Sequence, residues 1–243
     1  MSLVIDKALR LIELVADGNH LLSELVDQSE LSRSTTHRLL STLVQHGYLS
    51  YAERRYEIGF RFLELGERKR KSLSFIDAMR PELERYAHML GDTLHLAILD
   101  GHDIILIERV AGTRELQIRS HVGQRAPAFR TAVGKALISR RPPTTWNAYL
   151  SKVPVDYART PAQLREDFKN ASRQRYATDY NEVSIGTCGI ASAFPVGRNL
   201  DAAVSINGAT VYFPPERMEK LASTIVELSR QLASCVSGTR TAG

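Results

Sequence analysis

The apolar residues of the first 80 positions recur at the spacing of helical faces. One apolar stripe ends at Asp17-Gly18-Asn19, and its members are Leu3, Leu9, Leu11, Ile12, Leu14 and Val15. Ser23 is expected to cap a short second helix that carries Leu25 and Val26. Ser32 is expected to cap a third helix, which ends at Gly47. The pattern therefore predicts three helices before residue 48.

The third predicted helix has two chemically different faces. Its apolar face carries Thr36, Leu39, Leu40, Leu43 and Val44, and its polar face carries Ser34, His37, Arg38, Ser41 and Gln45. Two short strands, 48–51 and 56–59, follow and flank a turn that has Arg54 and Arg55 at its tip. Helix, turn, helix and β-hairpin in this order are typical of a winged helix-turn-helix, in which the last helix enters the major groove of DNA.

The second region is expected to consist of shorter elements, because all nine prolines lie beyond residue 80. Apolar spacing predicts helices over 75–90, 144–150, 161–175 and 215–236, and one that begins at Thr131. Alternating or apolar runs predict strands over 93–99, 104–109, 189–196 and 200–207, with 116–119 as a further candidate. This mixture predicts an α+β domain with an antiparallel sheet.

Charge narrows the choice of partners only slightly. The net charge is +5 and the pI is near 9.3, which mildly favours an anionic partner. Residues 1–71 hold 11 basic and 10 acidic residues, yet 32–61 hold five arginines and only two acids. The net charge alone is equally consistent with a soluble protein whose surface is merely basic. The placement of individual arginines is therefore what favours DNA.

Several classes of protein are disfavoured by the composition. No apolar run reaches the roughly 18–20 residues of a membrane span, and no signal peptide is evident at the N-terminus. The two cysteines, Cys188 and Cys235, form neither a disulfide framework nor a metal-ligand spacing. We therefore expect a cytoplasmic protein that has no membrane partner.

Four segments resemble the IclR (isocitrate-lyase regulator) family of bacterial transcription factors. They are Leu31-Ser-Arg-Ser-Thr-Thr-His-Arg-Leu-Leu with Gly47-Tyr48, Arg80-Pro-Glu-Leu, Thr131-Ala-Val-Gly-Lys-Ala-Leu, and Tyr176-Ala-Thr-Asp followed by Gly186 and Ile190-Ala191. The resemblance implies a winged helix domain, a linker helix and a GAF-like effector domain. It also implies dimers, or dimers of dimers, on a palindromic operator, and a small carboxylic acid as effector.

On this basis we divide the chain into three parts. Residues 1–66 are the expected winged helix-turn-helix domain, 67–74 the linker, and 75–243 the effector-binding and oligomerisation domain. The linker contains a run of charged residues that cannot lie in a core. Exposure to solvent explains this run as well as contact with DNA phosphates does. The expected function is that of a ligand-responsive transcriptional regulator of a catabolic operon, acting as a repressor.

The residues expected to contact DNA lie on the third helix and on the wing. They are Arg33, Ser34, Thr35, His37, Arg38, Arg54 and Arg55. The wing arginines are expected to contact phosphates or the minor groove, with little base specificity. One position departs from the family, which usually has glycine where this chain has Glu30. The backbone there is expected to adopt the strained left-handed form or to use another turn.

The expected effector site begins at Thr131. As a helix cap, Thr131 would leave the amides of Ala132, Val133 and Gly134 free to hold a carboxylate, although an ordinary capped helix is the plainer alternative. By the resemblance, the site residues are Ala132, Val133, Asp179, Gly189, Ser205 and Asn207. Asp179 is expected to accept a hydrogen bond from a ligand hydroxyl or hydrated carbonyl.

Two of these positions differ from family members that recognise very small keto acids. Those members have cysteine in place of Gly189 and serine in place of Asn207, whereas here the thiol is at Cys188, which strand alternation directs to the other face. Gly189 is expected to enlarge the cavity. We therefore expect a sugar acid or an aromatic hydroxy acid, larger than a two-carbon ligand.

The rival interpretation is an enzyme, or a metabolite-binding module that acts on a small acid and carries a fused winged helix. Cys188 is a candidate nucleophile, but no motif places a histidine beside it. His95, His102 and Asp103 are candidate metal ligands whose spacing matches no closed site. No catalytic residue, metal or cofactor is therefore expected.

Overall fold

The computed structural model describes residues 3–239, with side chains as far as Val236. Residues 1–2 and 240–243, the ends of the first and last predicted domains, lie outside this range. The chain divides into two compact units, with the boundary between Ser74 and Phe75. The separate linker over 67–74 stays a prediction. None of the helices in the described residues is long and apolar enough to cross a membrane.

The first unit has the predicted order of helix, turn, helix and wing. Its elements are α1 (Leu3–Ala16), α2 (Leu22–Ser29), α3 (Arg33–Gln45), β1 (Leu49–Ala52), β2 (Arg55–Ile58) and α4 (Arg61–Lys71). Strands β1 and β2 pair antiparallel, with Leu49 opposite Ile58 and Ala52 opposite Arg55. The winged helix-turn-helix is confirmed.

The core of the first unit is formed where the helices cross. The buried residues are Leu11, Leu14, Val15, Leu25, Leu39, Leu40, Leu43, Leu49 and Tyr56. On α3 these coincide with the predicted apolar face, except that Val44 is half-buried. The helix predicted from the apolar stripe is present as α1, although Leu3 and Leu9 of that stripe are 73% and 54% exposed. The packed part of α1 begins at the half-buried Ala8, and the first turn of the helix is exposed.

The two predicted helix caps have different outcomes. Ser32 caps α3 as expected, because its Oγ accepts the amide of Thr35 at 3.3 Å. Ser23 does not cap α2 but lies inside it. Instead, Glu24 Oε2 accepts the amides of His20 and Leu21, each at 2.8 Å. A glutamate in the first turn reaches back further than a serine does, and its charge suits a helix N-terminus.

Glu30 adopts the strained form of the turn between α2 and α3. Its φ is 56° and its ψ is 24°, which is the left-handed conformation. For an L-residue with a side chain this conformation costs roughly 1–2 kcal/mol. The turn geometry of the helix-turn-helix is thus kept at a local cost.

The second unit is built on a six-stranded antiparallel sheet. The elements are α5 (Phe75–Leu90), β3 (Thr93–Asp100), β4 (Asp103–Val110), β5 (Arg125–Pro127), α6 (Ala132–Ser139), α7 (Asn147–Leu150), α8 (Pro161–Gln174), β6 (Ala177–Tyr180), β7 (Thr187–Pro195), β8 (Asp201–Ala209) and α9 (Pro215–Thr239). The strand order is β5-β4-β3-β8-β7-β6. The predicted α+β domain with an antiparallel sheet is confirmed.

Small residues on one face of the sheet allow α6 to pack closely. Ala97, Ala177, Ala191 and Ala203 share a core with α6 and α8. The alternate strand residues point to the opposite face, where α5 and α9 pack against the sheet. Helix α6 is so deeply enclosed that all eight of its residues are buried.

Three predictions of elements need correction. Residues 116–119 form no strand, and Leu116 is exposed, because the segment lies in the irregular connection from β4 to β5. The helix predicted over 144–150 is a 3-10 turn followed by the four-residue α7. Strands β5 and β6 were not predicted, since three or four residues give too short a pattern to distinguish from a loop.

Replacing Glu30 with glycine should relieve the strained turn. We expect Glu30→Gly to raise the free energy of unfolding by about 1 kcal/mol, because glycine adopts positive φ without a steric penalty. Urea unfolding of the full chain, followed by helical circular dichroism, measures this. Glu30→Ala is the control, because alanine removes the carboxylate but keeps the strain. An equal gain in unfolding free energy in both variants would show that the effect comes from the lost charge and not from the backbone.

Candidate functional site

The polar face of α3 is open along its N-terminal half. Arg33, Ser34, His37 and Arg38 are exposed, as the sequence predicts. Thr35 is half-buried, and its Oγ1 accepts a hydrogen bond from the capping Ser32 hydroxyl at 2.9 Å. The exposed residues lie where a groove-reading helix makes its base contacts.

The arginines of this surface are exposed, although the charge of Arg55 helps to lower the pKa of the nearby Glu24. Among the described residues, no ion pair or side-chain hydrogen bond involves Arg33, Arg38, Arg54 or Arg55. Each guanidinium therefore has its five N–H donors available, which suits phosphate oxygens and the edge of guanine.

The wing ends in a tight two-residue turn. Glu53 and Arg54 both have positive φ, 51° and 62°, which is the geometry of a type I′ hairpin turn. Arg54 is therefore at the tip, whereas Arg55 opens β2 opposite Ala52. The prediction that both arginines lie at the tip is corrected for Arg55, although its side chain is also exposed.

A cavity of about 120 Å³ lies beside the N-terminus of α6. Five of the six predicted effector residues line it: Ala132, Val133, Asp179, Ser205 and Asn207. Gly189 is not among its lining residues, but it pairs with Asp179 on one side and Asn207 on the other. The structure thus brings the predicted residues together from α6, β6, β7 and β8. Their role in effector binding stays a prediction.

The amides at the start of α6 are mostly occupied. Thr131 caps the helix as predicted, with its Oγ1 accepting the amide of Gly134 at 2.9 Å. The amide of Ala132 donates to Asp179 Oδ2 at 2.7 Å. Of the three amides predicted to be free, only that of Val133 lacks a partner in the described chain. A buried helix N-terminus needs acceptors even without a ligand, and Asp179 supplies one.

Burial changes the protonation of Asp179. It raises the pKa of this carboxyl from 3.8 to about 7, although the hydrogen bond from Ala132 and the charge of Lys135 act in the opposite direction. The other oxygen, Oδ1, makes no hydrogen bond within the described residues. Near pH 7 the carboxyl is thus poised between an acceptor-only and a donating form.

The side chain of Asn207 fills the space that Gly189 leaves. A Cβ at position 189 would lie 2.5 Å from Asn207 Oδ1 and 3.3 Å from Asp179 Oδ2. The expectation that Gly189 enlarges the cavity is therefore wrong, because the longer amide occupies the volume. Asn207 Nδ2 donates to Ser205 Oγ at 2.7 Å, which fixes the orientation of the amide.

Cys188 has the surroundings of a structural thiol. It is buried, its Sγ lies 3.9 Å from the carbonyl oxygen of Gly208, and burial raises its pKa to about 12. A nucleophilic cysteine needs a lowered pKa. Within the described residues, no group of three His, Cys, Asp or Glu side chains has the geometry of a metal site.

The cavity also has polar residues that sequence reasoning missed: His95, Arg119, Ser120 and Gln124. His95 is in β3 directly opposite Ser205, and its Nε2 lies 2.8 Å from Ser120 Oγ. Burial, together with the charge of Arg109, lowers the pKa of His95 to about 4, so the ring is neutral. The alternation of His95 with two leucines indicated which face it occupies, but not that the face borders a cavity.

A buried ionic cluster holds the loop beside the cavity. Lys135 of α6 is fully buried, and its Nζ lies 2.6 Å from Glu182 Oε1 and 3.1 Å from Asp167 Oδ2. Arg130 donates to the carbonyl oxygens of Glu182 and Val183 at 2.8 and 2.5 Å. Because Val183 lines the cavity, these contacts connect its wall to α6. Sequence reasoning took Lys135 only as part of a family segment.

The two units match two family models in chain order. Residues 4–53 match the IclR helix-turn-helix domain, and residues 69–234 match the C-terminal domain of bacterial IclR transcriptional regulators. The chain belongs to the IclR family. The second match alone covers more than half of the chain. IclR-family membership assigns the protein to DNA-binding transcriptional regulators and not to an enzyme class.

Curated IclR-family relatives align over nearly the whole length. The acetate operon repressor of Salmonella typhimurium and the transcriptional repressor IclR of Escherichia coli are each 26% identical over 247 residues, covering 96% of this chain and 90% of theirs. The regulator XynR of Escherichia coli is 34% identical over 164 residues, covering 64% of this chain and 65% of its own.

Solved IclR-type structures share the fold. A putative transcriptional regulator from Rhodococcus sp. RHA1 has a TM-score of 0.78 at 25% identity and covers 97% of both chains. An IclR homologue from Microbacterium hydrocarbonoxydans, solved in complex with 4-hydroxybenzoate, has a TM-score of 0.79 at 22% identity and covers 99% of this chain and 100% of its own.

Asp179→Asn should change the pH dependence of stability. The folded protein holds the Asp179 proton up to about pH 7, whereas the unfolded chain releases it near pH 4. The retained proton stabilises the folded state, and this contribution is complete below pH 4 and is lost as the pH rises to 7. Asparagine still accepts from Ala132 and cannot ionise. The variant should therefore gain stability relative to the wild type between pH 4 and 7, by at most about 4 kcal/mol.

Urea unfolding at pH 4, 5.5 and 7 measures this effect. The control is Asp156→Asn, which removes one carboxylate from an exposed position. If Asp179→Asn and the wild type keep a constant difference in unfolding free energy across this range, Asp179 is ionised in the folded protein.

Proposed function

We propose that this IclR-family protein is a cytoplasmic repressor of a catabolic operon and that a small carboxylic acid relieves its binding to a palindromic operator. The observation that carries the DNA part is the exposed, unpaired arginine set of α3 and the wing. The similarity to the acetate operon repressor, whose name links a family member to the metabolism of a small acid, supports the catabolic role.

Unpartnered apolar surface on the first unit supports self-association. None of the residues of α4 is buried within the chain, and Phe60 and Leu63 are 83% and 70% exposed. An isolated helix of eleven residues is marginally stable in water. The exposed Leu3 and Ile5 of α1 extend this apolar character. A second copy of the chain would bury such surface, in a homodimer or in a dimer of dimers.

The proposed effector is a carboxylic acid that also carries hydroxyl groups, either a sugar acid or an aromatic hydroxy acid. The cavity of about 120 Å³ is of the same order as the roughly 150 Å³ cavity that holds benzene, so it has room for a small organic acid. The unpaired Val133 amide offers a donor for the carboxylate, and Asp179 Oδ1 an acceptor for a hydroxyl. The 4-hydroxybenzoate complex of the Microbacterium homologue supports an acid of this class.

We propose that the effector acts by changing the separation of the two winged domains in a dimer. Paired half-sites on DNA require a fixed distance between the two recognition helices. A ligand can favour another arrangement of the two winged domains. It then weakens operator binding by a free energy that equals its difference in affinity for the two arrangements. Only three residues separate the end of α4 from the start of α5, so this connection is short.

Arg38 and Arg54 should affect DNA binding in different ways. An operator fragment selected from a random-sequence library by the protein, and a random fragment, serve as probes in fluorescence anisotropy. Arg38→Ala should weaken operator binding by about 1–3 kcal/mol and relax specificity at one base pair. Arg54→Ala should weaken binding to both probes and lower the salt slope by about one.

The matched control is Arg10→Ala, which removes an exposed cation from α1. Size-exclusion chromatography of each variant shows whether the oligomeric state is unchanged. An equal loss on both probes for Arg38→Ala would show that Arg38 contacts phosphate only.

The effector class is tested by isothermal titration with glyoxylate, gluconate and 4-hydroxybenzoate. We expect gluconate or 4-hydroxybenzoate to bind at least about tenfold more tightly than glyoxylate, a difference of about 1.4 kcal/mol, because a two-carbon acid leaves most of the cavity unfilled. The acid that binds should also release the operator fragment in anisotropy measurements. Tight binding of glyoxylate alone would contradict the proposed effector class.

A further inference from the structure

The cavity has a second polar end, and it is formed by residues outside the predicted effector set. His95 is in β3, and Asp179 is in β6, with β8 and β7 between them. At a strand spacing of about 4.8 Å, the two strands are about 14 Å apart across the sheet. Both side chains line the same cavity. An effector held near Asp179 therefore has room to extend towards His95.

The hydrogen bonds around His95 leave one donor unused. Ser120 Oγ accepts from Arg109 Nε at 3.0 Å and lies 2.8 Å from His95 Nε2. If the hydroxyl donates to Nε2, the ring proton is on Nδ1 and has no partner. If Nε2 donates to the hydroxyl, the Ser120 proton has none. In either tautomer, one hydrogen atom of this pair stays unpaired among the described residues.

The unused donor borders the cavity, because both His95 and Ser120 line it. His95 is only 8% exposed, and its ring is neutral at physiological pH. The proton is on the His95 ring in one tautomer and on the half-buried Ser120 hydroxyl in the other, and both residues line the cavity, where a ligand oxygen can accept it. Two polar ends in one cavity, one at the α6 N-terminus and one at His95, require a ligand with polar groups at both of its own ends.

We infer that the His95–Ser120 pair is a specificity determinant that donates a hydrogen bond to an oxygen at the end of the effector remote from its carboxylate. This inference rests on the proposed acid-binding function and narrows it. A two-carbon acid spans only about 4 Å, too short to reach both ends. The chemical class is thus an elongated acid with a distal hydroxyl or carbonyl oxygen. An analogue that lacks this oxygen leaves the donor unpaired.

Matched pairs of acids test the inference with the full chain. The pairs are 4-hydroxybenzoate with benzoate and gluconate with hexanoate, compared by isothermal titration at pH 7.5. The wild type should bind the oxygenated member of at least one pair at least tenfold more tightly. In His95→Phe, which keeps a planar ring but has no donor, this preference should fall below about threefold.

Two further variants control the experiment. His95→Gln retains an amide donor and should restore most of the preference. His102→Phe changes an exposed histidine that does not line the cavity and should leave the preference unchanged. Should His95→Phe fail to fold, imidazole ¹⁵N spectra of the wild type supply the measurement, because the preferred oxygenated acid should shift the His95 resonances and its partner that lacks the distal oxygen should not.

The outcomes separate the two proposals. An undiminished preference in folded His95→Phe, or identical His95 spectra with both members of the pair that binds, would overturn the role of the His95–Ser120 pair and leave acid binding intact. Binding of none of the four acids to the wild type would overturn the proposed effector class and this inference with it.

Discussion

The second unit depends on one constraint, which is that the N-terminus of α6 is buried and its amides need acceptors. Thr131 satisfies Gly134 from within the local sequence. Asp179 satisfies Ala132 from a strand 47 residues further along the chain. That hydrogen bond fixes β6 against α6 and brings a carboxyl into the cavity wall. The fold and the candidate site therefore both depend on this hydrogen bond between Ala132 and Asp179.

The same helix carries a second constraint in Lys135. A fully buried ammonium group is tolerated only with counter-charges, and Glu182 and Asp167 supply them. Buried ion pairs contribute little net stability, but losing one partner leaves an uncompensated charge. Glu182 directly precedes Val183 in the cavity wall, so the ion pair determines where that wall lies. Contacts of α6 with Asp179 and Glu182 therefore attach the end of β6 and the start of the β6–β7 connection to this helix.

Sequence patterns predicted what depends on neighbours along the chain. The faces of α3, the cap at Ser32 and the paired strands β7 and β8 follow from local spacing, and the structure has them. Patterns failed where neighbouring side chains competed for the same amides, or where a distant residue decided the outcome. Local rules nominated Ser23 as a cap, yet Glu24 reaches back to two amides. The roles of Asp179 and Asn207 depend on strand register, which no local signal encodes.

The DNA-binding surface and the cavity differ because the first is exposed to water and the second is buried. Water satisfies the exposed arginines of α3, so they can stay unpaired within the protein until phosphates replace that water. Groups around the cavity are buried and must pair with each other, as Asp179 does with Ala132 and Asn207 does with Ser205. The Val133 amide has no partner among the described residues, so the proposed carboxylate can bind there while Asp179 keeps its hydrogen bond from Ala132. Because Asp179 also attaches β6 to α6, an effector that hydrogen-bonds the other oxygen of this carboxyl, as proposed, would act on a contact on which the fold relies.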